Sequence, residues 1–132
     1  MRVWLYARLS NDDDREMNSL LNQREICQAF AEQHGYIIVG QSFDDNISGM
    51  SFDRRGLDEL TAAVDADMID AVIVKDLSRL GRHRTQTALF IDYLREHQVR
   101  VISATEGVDT FRDEDDLIIG VRGLMNDYYA KD

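Results

Sequence analysis

The chain has 132 residues, 44% of them hydrophobic, which is enough for one globular domain with its own core. Its 25 acidic residues outnumber its 15 lysines and arginines, and a net charge of -10 argues against DNA binding through bulk positive charge. The single cysteine excludes internal disulfides and cysteine-rich metal sites. With no apolar run long enough for a membrane span and no signal-peptide pattern, we expect a cytoplasmic protein without membrane contact.

Strand-like and helix-like patterns alternate along the chain. Short apolar or alternating segments typical of strands are followed by segments with apolar residues at helical spacing. This alternation predicts an α/β domain with a mainly parallel sheet of four to five strands, flanked by helices. The predicted strands are 2–8, 36–43, 70–75 and 99–103, and the predicted helices are 17–34, 57–64 and 85–97.

The end of the chain has a different pattern. From about residue 114, a wide apolar stripe that includes Leu117, Val121 and Tyr128 predicts an amphipathic helix, and no capping residue follows it. We therefore assign residues 1–112 to the α/β domain and residues 113–132 to the start of a C-terminal helix that continues beyond this chain. A terminal helix that packs on the sheet is the alternative.

The carboxyl ends of the predicted strands carry the candidate chemistry. Ligands of open parallel sheets bind outside these ends, where Arg8 and Ser10 leave the first strand. The loop 44–54 leaves the second strand and contains Arg54, and the segment 75–82 leaves the third and contains Arg79 and Arg82. We expect these segments to deliver one hydroxyl and several guanidinium groups to the same edge of the sheet.

This combination favours phosphoryl transfer. Arginine donates parallel hydrogen bonds to phosphate oxygens and stays charged, and a cluster of arginines can supply the positive charge that a metal often supplies. Gln23 shares the apolar face of the first helix, where its amide either makes a structural hydrogen bond or orients the loop that carries Ser10. The run Asp12–Asp14 has neither the spacing nor the glycine of a calcium loop, so we expect a solvated acidic loop there.

Four blocks of sequence together resemble a known family. They are Tyr-Ala-Arg-Leu-Ser at 6–10, Asn-Gln-Arg at 22–24, Asp-Arg-Arg-Gly-Leu at 53–57 and Asp-Leu-Ser-Arg-Leu-Gly-Arg at 76–82. In this order and spacing they resemble the catalytic domain of the serine recombinases, the resolvase and invertase family. The last block and the Asp-Tyr-Tyr-Ala-Lys-Asp ending are most similar to the large serine recombinases, which act as transposases and integrases of mobile elements.

The resemblance implies a function for each candidate residue. Ser10 would attack a DNA phosphodiester and become joined to the 5' phosphate. The family's phosphate-binding arginines correspond to Arg8, Arg54, Arg79 and Arg82, and its active-site glutamine corresponds to Gln23. No nucleotide cofactor and no metal would be required. The partners would be double-stranded DNA and further copies of the chain, as a homodimer and a synaptic homotetramer, with 113–132 as the oligomerisation helix and the DNA-binding domains outside this chain.

Two alternatives compete with this interpretation. The first is a catalytically idle α/β module that mediates dimerisation or regulation in a DNA-binding protein. The second is a domain that binds a small phosphate compound. One departure from the family also affects the mechanism: small resolvases have an aspartate where this chain has Ser78, so the sequence leaves the general acid and base unassigned.

Overall fold

The computed structural model describes residues 1–10, 13, 18–46, 54–81 and 84–111. Within these ranges, strands and helices follow one another in the predicted order, and the predicted C-terminal helix at 113–132 lies outside them. The strands are β1 (Arg2–Ser10), β2 (Ile37–Asn46), β3 (Ala71–Val74), β4 (Arg100–Ser103) and β5 (Val108–Asp109). The helices are α1 (Leu20–Gln33), α2 (Arg55–Asp65), a 3₁₀ helix (Leu77–Leu80) and α3 (Arg84–Glu96).

The sheet has the strand order β2-β1-β3-β4-β5. The pairs β1–β2, β1–β3 and β3–β4 are parallel, and the short β5 runs antiparallel to β4 after a turn in which Gly107 has a φ of 66°. The prediction of a mainly parallel sheet of four to five strands is confirmed. Because β2 and β3 lie on opposite sides of β1, the strand order reverses there, and such a switch point is where α/β sheets bind ligands.

Helices pack on both faces of the sheet. Helix α1 buries Cys27 and Ala31 against Val3, Leu5 and Ile73 on one face. Side chains of β1 alternate between the two faces, so Tyr6 lies on the other face, in the core cluster formed by α2 and α3. Cys27 is 1% exposed, and burial raises the pKa of its thiol to about 12, so it is an unreactive core residue as the sequence predicts. Among the described residues, no helix has both the length and the apolar character needed to cross a membrane.

The start of α2 is fixed by a buried carboxylate on β2. Asp44 is 1% exposed, and its Oδ1 accepts a hydrogen bond from the Gly56 amide at 2.7 Å. Its Oδ2 accepts from the Leu57 amide at 3.0 Å and from the Tyr6 hydroxyl at 2.7 Å. These bonds satisfy amide groups that a helix start otherwise leaves without partners, and negative charge is favourable at that end of a helix. Asp44 therefore holds the beginning of α2, and with it Arg54, against the sheet.

The same contact requires a glycine at position 56. A Cβ atom there would lie 2.3 Å from the Phe43 carbonyl oxygen, which is backbone and cannot move aside on its own. Glycine thus lets α2 approach β2 closely enough for the Asp44 bonds.

We expect Gly56→Ala to lower the free energy of unfolding by about 1–3 kcal/mol, because the added methyl group overpacks this contact. An ordinary helical Gly→Ala change is stabilising by up to about 1 kcal/mol, so the sign of the effect is diagnostic. Urea denaturation provides the measurement, and Ala62→Gly at an exposed position of α2 reports the propensity effect alone. An alanine variant as stable as the wild type would contradict the close approach.

Candidate active site at the carboxyl end of β1

Ser10 is the last residue of β1, and its backbone and side chain bind the same acceptor. Its amide and its Oγ donate to Asp13 Oδ2 at 2.8 and 3.2 Å, and the Asp13 amide donates back to the Ser10 carbonyl at 3.1 Å. The strand extends two residues beyond its predicted end, so the hydroxyl lies at the sheet edge itself rather than in a loop. The alternation of β1 gives Arg8 and Ser10 the same face as Tyr6.

Asp13 corrects the prediction of a solvated acidic loop. Its carboxylate is 16% exposed and forms an ion pair with Arg79, whose Nη1 lies 2.8 Å from Oδ2. Burial alone would raise the pKa of this carboxyl. The hydrogen bonds from Arg79 and Ser10 outweigh burial and hold the pKa below its usual range. Asp12 and Asp14, the other members of the run, lie outside the described residues.

Arg79 is a buried cation, 4% exposed, that joins three segments. Its Nη1 donates to the Arg8 carbonyl and to Asp13 Oδ2, both at 2.8 Å. Its Nε and Nη2 donate to Asp76 Oδ2 at 3.3 Å. Burial would lower the pKa of its guanidinium, but the two carboxylates raise it above its usual value, so the group stays protonated. The 3₁₀ helix turns Arg79 toward β1, and Asp76 caps this helix by accepting from the Ser78 amide at 3.1 Å.

The Arg8 side chain crosses from β1 to the same segment. It is 9% exposed, and its Nη2 donates to the carbonyl oxygens of Ser78 at 2.5 Å and Gly81 at 3.2 Å. The Arg8 and Arg79 contacts are reciprocal, because each arginine side chain donates to backbone carbonyls of the other segment. Together they fasten the 3₁₀ helix to the end of β1, although the two segments are about 70 residues apart in sequence.

Gln23 is fully buried and binds the backbone of Arg8. Its Oε1 accepts from the Arg8 amide at 3.1 Å, and its Nε2 donates to the Arg8 and Asn18 carbonyls, both at 2.8 Å. The sequence left open whether this amide makes a structural hydrogen bond or orients the segment that carries Ser10. The structure shows satisfied hydrogen bonds, and they fix the backbone two residues before Ser10.

Three of the four predicted arginines meet at one cavity. Arg54 is exposed at the N-cap of α2, and it lines a cavity of about 290 Å³ together with Arg8 and Arg79. A larger cavity of about 680 Å³ between α1 and β2 is mainly apolar and contains none of the predicted site residues. Arg82 lies outside the described residues. In the part of the chain that the structure describes, no group of His, Cys, Asp and Glu residues could hold a metal ion.

Sequence reasoning missed three carboxylates that organise this site. Asp13 holds Ser10 and Arg79, Asp76 holds Arg79, and Asp44 holds α2. Only Asp76 had a usable signal, because it is the one acidic residue within the segment 75–82, next to its arginines. Asp44 pairs in register with Arg8 across β1 and β2, which becomes visible only once the strands are aligned.

Comparison with known proteins identifies the family. The family model described as the resolvase N-terminal domain matches residues 3–132, so the chain belongs to the resolvase N-terminal domain family, the catalytic domain family of the serine recombinases. The transposon Tn3 resolvases of Escherichia coli and Klebsiella pneumoniae are each 29% identical over 121 residues. These matches cover 92% of this chain and 60% of each relative, so the chain spans less than two thirds of the length of these curated relatives. The recognition of the family from its motifs is confirmed.

Solved structures support the same assignment. A resolvase-family site-specific recombinase from Streptococcus pneumoniae aligns with a TM-score of 0.78 and 27% identity, covering 99% of this chain and 89% of that one. The catalytic domain of an IS607-like serine recombinase, ISC1926 TnpA, aligns with a TM-score of 0.65 and 25% identity, covering 96% and 80%. The N-terminal catalytic domain of TP901-1 integrase shares the fold, with a TM-score of 0.76 and 22% identity over 99% and 98% of the chains.

We expect Gln23→Leu to destabilise the domain by about 1–3 kcal/mol, because it leaves the buried Arg8 amide without its side-chain acceptor and removes the hydrogen bonds to the Arg8 and Asn18 carbonyls. Gln28→Leu on the same helix is the matched control. Gln28 is exposed, and within the described part of the chain its amide bonds only the side chain of Glu32, so we expect a change within about 0.5 kcal/mol. Thermal and urea unfolding measure both variants. Equal stability of the two would show that the Gln23 bonds contribute nothing to holding β1.

The lowered pKa of Asp13 gives a signed dependence of stability on pH. A carboxyl whose pKa is depressed in the folded state stabilises the fold above its unfolded pKa of about 3.9 and loses that contribution as pH falls through the folded value. The stability difference between the wild type and Asp13→Asn should therefore be largest near neutral pH and shrink as pH falls below about 4. Urea unfolding across pH 2–7 measures it. Asp70→Asn should behave alike, because the hydrogen bond with Arg2 also lowers the pKa of Asp70.

Proposed function

We propose that this domain cuts and rejoins double-stranded DNA, with Ser10 as the nucleophile of a site-specific recombinase. The observation that carries the proposal is the convergence of the Ser10 hydroxyl and the Arg79 guanidinium on one carboxylate oxygen, at the carboxyl end of β1. A hydroxyl beside a fixed guanidinium is the arrangement that attack on a phosphodiester requires. The names of the similar proteins, which include a transposon resolvase, a site-specific recombinase and an integrase, support the same reaction.

The proposed reaction exchanges one phosphodiester for another. Ser10 Oγ forms a bond to the phosphorus, the bond from phosphorus to the 3' oxygen breaks, and the 3' oxygen leaves with a proton as a hydroxyl. The product is a 5' phosphoserine ester, and a 3' hydroxyl that attacks this ester reverses the step on the same or an exchanged strand. Since the ester retains the energy of the broken bond, rejoining needs no nucleotide cofactor.

The arginines would supply the charge that stabilises the transition state. The Arg79 guanidinium is fixed by its contacts with Asp76 and Arg8, so it needs little reorganisation when charge develops on the phosphate. Arg8 and Arg54 line the adjoining cavity and would bind the same or a neighbouring phosphate. Arg82 is assigned to this group through the family motif. With this charge in place, we propose a reaction that requires no metal.

Gln23 would act as a positioning residue. It fixes the Arg8 backbone, and through it the register of β1 that carries Ser10. It contacts neither the Ser10 hydroxyl nor the Arg79 guanidinium.

We assign oligomeric assembly and the binding of DNA sites to the full-length parent protein. We propose that the parent works as a homodimer and a synaptic homotetramer on its DNA sites, that the apolar stripe within 113–132 contributes the oligomerisation helix, and that DNA-binding domains lie beyond this chain. The 60% coverage of the Tn3 resolvases leaves room in such relatives for a further region. The acidic character of the chain is compatible with this division, because another region would supply most of the affinity for DNA.

The competing function is a catalytically idle dimerisation module. The connection of Ser10 to Arg79 through Asp13 favours the enzyme, because a purely structural sheet edge does not need a hydroxyl beside buried cations. An idle module would tolerate loss of the Arg79 guanidinium with no effect beyond stability.

The full-length recombinase, incubated with its own recombination-site DNA, should form a covalent complex whose DNA is attached to Ser10. Mass spectrometry after nuclease digestion locates the attachment. Ser10→Ala should abolish the complex, and Arg79→Gln should slow its formation at least about 100-fold, the size of effect that loss of one transition-state donor produces. Arg24→Gln removes an equal charge from an exposed position on α1 and should leave the rate near the wild type. Cleavage by the Ser10→Ala protein would refute the proposal.

A further inference from the structure

Three hydrogen-bond donors of the candidate site converge on one atom. Asp13 Oδ2 accepts from the Ser10 amide at 2.8 Å, the Ser10 hydroxyl at 3.2 Å and Arg79 Nη1 at 2.8 Å. A backbone amide, a hydroxyl and a guanidinium around one point form a site for an anionic oxygen. The chain fills that site with a carboxylate of its own.

We propose that Asp13 occupies the phosphate subsite of the free domain, so that the scissile phosphate binds productively only after the Asp13 carboxylate has left. This inference rests on the proposed function of Ser10. It adds an internal competitor to the site: a residue of the same chain that keeps the nucleophile and Arg79 engaged until DNA displaces it.

The hydrogen bonds of Arg79 are divided in a way that fits this exchange. Asp76 holds the Nε and Nη2 edge of the guanidinium, while Asp13 binds only Nη1. Departure of Asp13 therefore frees one N–H of Nη1, while the other stays on the Arg8 carbonyl and Asp76 keeps Arg79 at the 3₁₀ helix. A phosphate oxygen that replaced the carboxylate would meet a guanidinium already fixed in position.

The charges favour exchange over joint occupancy. A carboxylate and a phosphate are both negative, and both cannot bind the same Nη1 and Ser10 donors at close range without repulsion. The alternative role for Asp13 is general base toward Ser10. A carboxylate that accepts hydrogen bonds from Arg79 and Ser10 is stabilised as the anion and is a poor proton acceptor near neutral pH.

The test titrates inorganic phosphate into the chain at constant ionic strength and follows the Ser10 amide and the Arg79 Nε–H by NMR. If Asp13 blocks the site for nine tenths of the time, its removal raises the apparent affinity about tenfold. Asp13→Asn and Asp13→Ala should therefore bind phosphate at least about tenfold more tightly than the wild type, with shifts at Ser10. Arg79→Gln in the Asp13→Asn background should eliminate the gain.

The matched control is Asp67→Asn, which removes the same charge from an exposed turn before β3, at the opposite end of the sheet. Equal phosphate affinity of the wild type, the Asp13 variants and the Asp67 variant would overturn the proposal. The wild type gives an independent readout that does not depend on the variants folding. The ¹³C signal of the Asp13 carboxyl should shift as phosphate saturates the site, and a carboxyl signal that stays unchanged at saturation would equally overturn it.

A second experiment distinguishes between two roles of Asp13, a competitor of the scissile phosphate and a general base toward Ser10. In the full-length recombinase with its DNA, Asp13→Ala should form the Ser10 adduct at least as fast as the wild type, whereas loss of the adduct would show that the reaction needs the Asp13 carboxylate, as a base or as a support of Ser10 and Arg79, and would overturn the proposal. The phosphate titration involves neither DNA nor catalysis. If the phosphate titration gives the contrary result, the proposed recombinase function is unaffected. If no Ser10 adduct forms, the proposed function fails, and the titration still tests whether Asp13 occupies an anion site.

Discussion

Arg79 is a charged side chain buried where three segments meet, and its burial sets the geometry of everything around it. A guanidinium can be taken out of water only when its donors are satisfied, and this one binds the Arg8 carbonyl, Asp13 and Asp76. Loss of one partner of a buried ion pair typically costs about 3–5 kcal/mol, although such a pair adds little net stability compared with an apolar replacement. The interaction therefore fixes the relative position of β1, Asp13 and the 3₁₀ helix more than it stabilises the fold. A site for phosphoryl transfer needs this kind of fixed charge.

A buried carboxylate, Asp44, has the corresponding effect on the neighbouring part of the site. Asp44 joins Tyr6 on β1 to the first amides of α2, and Arg54 stands directly before that helix. The position of Arg54 at the cavity is thus set by an acid on β2. The two arrangements are alike: in each, a carboxylate satisfies backbone amides or a guanidinium and thereby fixes where a cation of the site lies.

Ser78 stands where the resemblance to small resolvases implies an aspartate. The Ser78 hydroxyl donates a short hydrogen bond to Asp76, the same carboxylate that binds Arg79. Asp76 thus places a negative charge beside Arg79. It lies two residues before position 78, where small resolvases have an aspartate.

The sequence by itself determined the class of fold, the identity of the candidate nucleophile and the residues that face the core. Apolar periodicity reports burial one segment at a time, so it located β1 to β4, the three α-helices and the burial of Gln23 and Cys27. The positions of Arg8, Ser10, Arg54, Arg79 and Arg82 after the predicted strands made them candidates, and the family motifs implied their roles. Only the tertiary structure decided which acids bind which cations. The prediction of a solvated loop at Asp12–Asp14 was wrong for Asp13 because its partner, Arg79, is 66 residues away and reaches it only when β3 pairs beside β1. Pairing between distant segments depends on strand order and register, and local composition carries no record of either.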